Sequence, residues 1–310
     1  MATTTTVTSN YAGKAAGDLM NKAYNEEDTL RLGLVTPISD INYKFNLRKI
    51  RTSNGTVDYT CGHSPVGSIT LTEKVVEPKK FKNDLDICKE DFRPTWSEDL
   101  MGASAWNEQA PKDVLDAMTA SILAEEAEAI DSKIWNGTDV SGSFPGFITQ
   151  FEADAAVIKA NNGIVPIGAA ITEANVESEL KKVLTVIPTE IRRNDLVIVV
   201  SPDVFQSYWF YLVSKGIAND GNAEPKQVRF GRYTLTEVNG LPDNTICIYE
   251  KKNLVFVTGL ATDMARLELV DEDSIGLLTG KVRGKMVYNA AVGYYNSEEV
   301  VYYLSTTTPV

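Results

Sequence analysis

Between Pro111 and Gly137 the chain holds one unbroken helical pattern, longer than any other periodic stretch in it. Proline suits a first helical turn, where its missing N–H costs nothing, and glycine suits the position just past the last turn. Leu115, Met118 and Ile122 begin an apolar stripe that Leu123, Ala127, Ile130 and Ile134 carry on. That spacing belongs to a helix with one buried face. At about 1.5 Å per residue, a helix over residues 112–136 is roughly 37 Å long. A rod of that length spans a small domain and can act as the spine of a subunit.

The segments around the rod have other periods. From Asn42 the period is two: Tyr43, Phe45 and Leu47 alternate with Lys44, Asn46 and Arg48, the pattern of a half-buried strand. Asn54-Gly55 can supply the two positive φ angles of a tight type I′ turn. Ile69, Leu71, Glu73 and Val75 then make a second alternating strand. Residues 42–78 therefore predict a long two-stranded arm. Its faces are too polar to form a core, and a lone hairpin is marginal in water, so it is expected to lie on a neighbour. Ahead of it, residues 1–13 are rich in Thr and aperiodic, as in an arm ordered by a partner. Residues 15–24 predict a short helix with Leu19, Met20 and Ala23 on one side.

Beyond the rod, residues 141–150 form a turn-rich exit. Thr172 is expected to cap a helix bearing Val176, Leu180, Val183, Leu184 and Ile187, which Pro188 stops. The run Leu196–Val200 reads as a fully buried strand. Ser201-Pro202-Asp203 opens a helix with Phe205, Tyr208, Trp209 and Leu212 on one face, stopped at Gly216. Strands are predicted over 233–238, 246–249, 254–257, 265–270, 282–295 and 300–304. This mixture predicts an α+β protein.

Composition narrows the function classes. The sequence has 310 residues, of which 43% are hydrophobic and 23% charged, an ordinary globular balance. Thirty Lys and Arg against 42 Asp and Glu give a net charge of −12. A dedicated nucleic-acid binder usually carries the opposite sign, to displace counterions from phosphates. Three scattered cysteines suggest no disulfide framework. The first ten residues lack the basic and apolar regions of a signal peptide. No apolar run reaches the roughly 20 residues that span a bilayer.

No constellation for catalysis stands out. His63 is the only histidine, so any Ser-His-Asp or Cys-His arrangement must use it, and no G-x-S-x-G elbow accompanies it. Cys61-Gly62-His63 has no second Cys/His pair to complete a tetrahedral metal site. Gly276 to Lys281 has one residue too few between its glycines for a phosphate loop, and Val282 stands where Ser or Thr is required. A turn between strands is the better account. Asp271-Glu272-Asp273 lacks the ligand spacing of a Ca²⁺ loop. Glu125, Glu126 and Glu128 read as a solvated helix face or as partners for a neighbour's lysines. Lys79, Lys80 and Lys82 read as a solvated strand end, or as a contact with an acidic neighbour or packaged nucleic acid. No catalytic residue, cofactor or metal follows.

The order of parts resembles the major capsid protein of tailed bacteriophages, with the HK97-like fold. Residues 1–13 look like that family's N-terminal arm, and the hairpin around Asn54-Gly55 is similar to its extended loop, which reaches over an adjacent subunit. The rod looks like the spine helix of its peripheral domain. The stretch AEEAEAIDSKIWNG, followed by Phe144-Pro145-Gly146-Phe147, is the most family-like. The resemblance implies an N-terminal arm over 1–40, an extended hairpin loop over 41–78, a peripheral domain over 79–150 and 275–310, and an α/β axial domain over 151–274.

It further implies a structural protein, not an enzyme. Pentamers and hexamers would close an icosahedral shell around a double-stranded DNA phage genome, held without sequence-specific binding. Asn54, Gly55, Lys79, Lys80, Lys82, Glu125 and Glu126 are the candidate subunit-contact residues. Expected partners are copies of the chain, a separate scaffold, a portal and decoration proteins, with no membrane. The expected place is the virion, after assembly in the host cytoplasm. The hairpin starts too early for the scaffolding domain that begins some members, and neither partner of their Lys–Asn crosslinks can be matched here. An acidic subunit would repel the genome and let it slide during filling. The nearest rival is an encapsulin-like nanocompartment shell around a cargo enzyme. An α/β enzyme with an embellished N-terminus, which needs a deep polar pocket, is the rival from another class.

Overall fold

The structure, a computed structural model, describes residues 28–305 except 54, 60, 63–65, 93–111, 160–166, 193–194 and 217–226. The expected Thr-rich arm, the helix over 15–24, Pro111, Asn54 and His63 lie outside the described residues. Along the chain run α1 (Asp28–Arg31), β1 (Thr36–Ile38), β2 (Phe45–Thr52), β3 (Ile69–Val76) and β4 (Lys79–Cys88). Next come α2 (Lys112–Asn136), α3 (Phe147–Ala153), β5 (Ile158–Lys159), α4 (Val176–Val186), β6 (Leu196–Val200) and α5 (Pro202–Ser214). Strands β7 (Gln227–Phe230), β8 (Tyr233–Glu237), β9 (Thr245–Glu250), β10 (Leu254–Thr258), β11 (Leu267–Asp271), β12 (Lys281–Tyr294) and β13 (Val301–Leu304) complete it. The rod has the bounds its flanking Pro and Gly predict, and Gly137 closes it by donating its N–H to the Lys133 carbonyl at 3.0 Å.

The chain divides into two compact units. One gathers Asp28–Lys79, Asp131–Thr258 and the stretch from Ala290; the other gathers Lys80–Ile130 and Gly259–Asn289. The first contains a six-stranded sheet in the order β5-β13-β9-β6-β8-β7. Strand β9 lies antiparallel to both β13 and β6, while β6 and β8 run parallel. A parallel pair needs a crossover, and α5 lies within it. Ser201 is the extended residue before that helix, Pro202 opens it, and the Gly216 N–H bonds the Val213 carbonyl at its end. Helix α4 starts later than expected. Asn175, not Thr172, stands at its cap, because the Asn175 Oδ1 takes the Thr172 N–H at 2.7 Å and turns the chain first. Val176, Leu180 and Val183 of α4 pack with Val204, Phe205 and Tyr208 of α5 and with Ile198, Ile246, Ile248 and Tyr303 of the sheet.

The same unit holds the end of the rod. Trp135 is fully buried, donates its indole N–H to the Thr29 hydroxyl at 2.7 Å, and packs its ring 5.4 Å from that of Phe147. Beyond it the Gly146 N–H reaches the Gly137 carbonyl at 2.7 Å, so the turn folds straight back into α3. Strand β10 pairs in parallel with β1, and antiparallel with the Ala290–Tyr294 half of β12.

In the other unit the first half of β12 pairs with β11 on one side and with β4 on the other. Strand β4 continues what reads in sequence as a basic strand end; Ile87 is buried, and Leu115 and Met118 of α2 pack on it with Val282 and Leu269. The acidic turn between β11 and β12 is wound around a lysine. The Lys89 side chain is fully buried, with its Nζ 2.5 Å from Asp271 Oδ1 and 3.0 Å from Asp273 Oδ2. Lys89 thus supplies the positive charge for these carboxylates. Lys281, the lysine of the false phosphate loop, pairs with Asp86 at 3.0 Å, and Gly276 and Gly280 lie in the turn.

Candidate assembly surface

Strands β2 and β3 form a two-stranded sheet of their own, separate from the five- and six-stranded sheets. Its register runs from Phe45 opposite Val76 to Thr52 opposite Ile69. A two-residue turn at Asn54-Gly55 would instead set Leu47 opposite Gly62 and carry Val76 past the strand. The tight type I′ turn expected from Asn-Gly is therefore absent, and residues 53–68 form a longer loop. Register is fixed where burial is at stake, and here that is the base, where Leu47 and Val76 are buried together. Hydrogen bonds from the Ser53 N–H to the Ser68 carbonyl and from the Ser68 N–H to the Ser53 hydroxyl, both 2.8 Å, pinch the neck of the loop. Gly55 meets Gly67 there, and a Cβ on Gly55 would sit 2.6 Å from the Gly67 nitrogen.

The two faces of this hairpin differ. One carries Phe45, Leu47, Lys49, Arg51, Lys74 and Val76 and rests on its own unit. Leu47 and Val76 join Val255, Val257 and Ala291. At Gly293 the approach is so close that a Cβ would lie 2.4 Å from Val76 Cγ2, so only glycine lets the hairpin lie down on β12. Farther out Lys49 bonds Asn296, Arg51 pairs with Glu298, and the Lys74 ammonium stands 3.2 Å above the Tyr294 ring centroid. Tyr294 donates its hydroxyl proton to Asp154 at 2.8 Å. The arm thus lies partly on its own subunit.

The opposite face exposes four apolar side chains. Ile50 is 68% exposed, Ile69 78%, Leu71 57% and Val75 53%, and the Arg48–Glu73 ion pair at 3.1 Å is set among them. In the loop, Val57, Tyr59 and Val66 are exposed as well. The alternation Ile69, Leu71, Glu73, Val75 predicts a strand without saying which face is inward; in the structure this face is exposed. Tyr43, expected within the first strand, precedes it and is exposed.

The other candidate residues are spread over β4 and α2. Lys79 pairs with Asp139, and Lys82 with Asp84 of its own strand. Lys80 and Glu125 are exposed. Glu126 departs from the solvated-face reading: its Oε1 accepts the Tyr288 hydroxyl at 2.5 Å, and burial and this carboxylate push the tyrosine pKa up. Among the described residues no group of three or more His, Cys, Asp or Glu side chains could hold a metal ion.

Comparison with known proteins gives the architecture a context. No family model and no curated protein matches the sequence. Solved structures do match. The alignment to a chain from the capsid of a native GTA particle covers 96% of both chains, with a TM-score of 0.64 at 12% identity. A chain of the cyanophage A-1(L) capsid matches over 96% of this chain and 98% of its own, with a TM-score of 0.60 at 13% identity. For a chain of Gordonia phage Cozz the shares are 95% and 91%, with a TM-score of 0.60 at 12% identity. The chain has the HK97-like capsid fold. The identities are low enough that the likeness carries the fold and not the residues.

Proposed function

We propose that this chain is a phage major capsid protein: a structural subunit, not an enzyme, that assembles as pentamers and hexamers into an icosahedral shell around double-stranded DNA. The observation that carries the reading is the match to capsid chains over nearly the whole length of both partners. In this reading residues 41–78 are the extended loop, 79–150 and 275–310 the peripheral domain, and 151–274 the axial domain. The structures named above come from phage and GTA particles and give no support to the nanocompartment alternative.

The physical logic is that of many weak contacts. An apolar stripe of the size of Ile50, Ile69, Leu71 and Val75 holds one neighbour weakly, but closed symmetry makes every later contact intramolecular. Gly55, Lys80, Lys82 and Glu125 are offered as contact residues on their exposure, with Asn54 beside Gly55 in the loop. Lys79 and Glu126 would act from within their own ion pair and hydrogen bond. The net charge of −12 suits a container that encloses DNA without reading its sequence. Scaffold, portal and decoration proteins would be further partners, with assembly in the host cytoplasm and the virion as destination. Among the described residues no helix is long and apolar enough to cross a membrane.

Negative-stain electron microscopy of the purified chain, alone and with candidate scaffolds, tests this reading. Closed polyhedral or tubular shells are expected. A monodisperse small species that stays small on concentration, with scaffold present, would overturn it.

A further inference from the structure

We propose that Lys74 and Asp154 are positioning residues that hold the hairpin seated on its own subunit before any neighbour arrives. The inference rests on the assembly reading only for its consequence; the latch itself is a property of the single chain. Three observations meet at this place. Gly293 leaves a notch into which Val76 and Leu47 fit. One residue on, the Tyr294 ring lies under the Lys74 ammonium. Asp154 anchors that ring from behind, and is itself fixed by the Ser297 hydroxyl at 2.7 Å and the Ala156 N–H at 2.9 Å. A cation over an aromatic face is attractive only while ring and cation keep their geometry, so the Asp154 anchor acts on the hairpin through the ring. Beyond Lys74, among the described residues, the arm is held by polar contacts, Lys49 to Asn296 and Arg51 to Glu298. The buried base and the Lys74 contact therefore set the arm's angle.

Burial pushes the Lys74 pKa down to about 8, and the Asp154 carboxylate opposes that shift, so Asp154 supports the charge over the ring as well as the ring itself.

Hydrogen exchange of the soluble full-length chain at pH 7 tests the latch, with the six-stranded sheet as internal reference. Protection of the β2 and β3 amides is expected to fall several-fold in Lys74→Met, which keeps the stem without the charge, while the sheet amides keep theirs. Lys74→Glu, aimed at Asp154, is expected to lower that protection roughly tenfold, and to give open or misshapen particles under conditions where the wild type closes. Should Lys74→Glu also loosen the reference sheet, the comparison of wild type with Lys74→Met decides alone. Hairpin protection unchanged or raised in Lys74→Met, or unchanged by Lys74→Glu with the sheet intact, would overturn the latch. Failure of the wild type to form shells under any condition would instead strike the assembly reading and leave the exchange result standing.

Discussion

The β2–β3 hairpin and the six-stranded sheet use the same β-branched and aromatic residues to opposite ends. In the sheet, β9 buries every residue from Thr245 to Tyr249, and both of its neighbours are strands of the same unit. In the hairpin, Leu47 and Val76 alone are buried, while Ile50, Ile69, Leu71 and Val75 face outward. A folded chain gains little in isolation from leaving Ile50, Ile69, Leu71 and Val75 uncovered around one ion pair, and exposed apolar groupings of this kind are commoner at interfaces. The sheet serves the stability of the subunit; in the proposed reading the outer hairpin face serves a neighbour.

The largest effect should therefore fall in the sheet. Ile248→Ala, with Val301 on one side and Ile198 on the other, empties a fully packed position and should cost about 2–5 kcal/mol. Chemical denaturation of the unassembled subunit measures it, and a loss below about 0.5 kcal/mol would mean that the sheet is no better packed than the arm. Next comes a polar group that serves the fold. Lys89→Met strands Asp271 and Asp273 around an absent charge and should cost about 2–3 kcal/mol, somewhat below a fully dry ion pair because both carboxylates keep some contact with water. Burial pulls the Lys89 pKa down, but the two carboxylates more than reverse this and leave it raised. The Gly280 amide and then the Lys89 ammonium hold the Asp273 carboxyl below the usual carboxylate range. The contribution is thus complete between 3.8 and 10.5, lost as pH falls through the lowered Asp273 value, and lost again as it climbs through the raised Lys89 value. Wild type and Lys89→Met should converge in stability at both extremes.

At the boundary of the two regimes sits Gly293. Gly293→Ala forces a methyl group against Val76 and should cost about 1–3 kcal/mol, with the damage confined to the hairpin base. Proteolysis within residues 53–68 should quicken while the sheet amides keep their protection. Uniform loosening of both would show that the arm is part of the core, and the comparison would fail.

Legibility in the sequence follows the same division. The rod can be placed to the residue, because Pro111 and Gly137 punctuate a stripe whose contacts are local in sequence. Strand β6 and helix α5 are equally plain, since LVIVV and Ser201-Pro202 carry their own signals. What escapes is decided by distant partners. The hairpin register depends on Leu47 and Val76 reaching Gly293, so Asn54-Gly55, a strong local turn signal, loses to burial at the base. Alternation in β3 marks two faces but cannot say which is inward; only contact with β12 makes Lys74 and Val76 the inner set. Strand β4 hides its period-two residues Phe81, Leu85 and Ile87 among charges. The two- and three-residue strands β5 and β1 are too short to carry a pattern. Glu126 reads as solvent-facing because Tyr288, its partner, lies far along the chain. Among the assembly candidates the hairpin is legible as an arm, while its uncovered apolar face is not.

The smallest expected change in stability is the sharpest test of the comparison. Ile69→Ser with Leu71→Ser removes two side chains that touch little of their own subunit. Surface substitutions of this kind shift stability by about 0.5 kcal/mol or less, and β-propensity alone weakens the strand only slightly. The melting curve of the unassembled double variant should overlay that of the wild type, and the Arg48–Glu73 pair should keep the hairpin register. Shell yield by negative-stain microscopy should nevertheless collapse, because each lost contact recurs in every copy and closure multiplies small deficits. If the double variant melts early, the outer face is covered by its own chain and the division between the two regions is wrong. If it melts normally and still closes shells, the division stands but the outer face is not the contact, and the exposed Val57, Tyr59 and Val66 of the loop become the next residues to change.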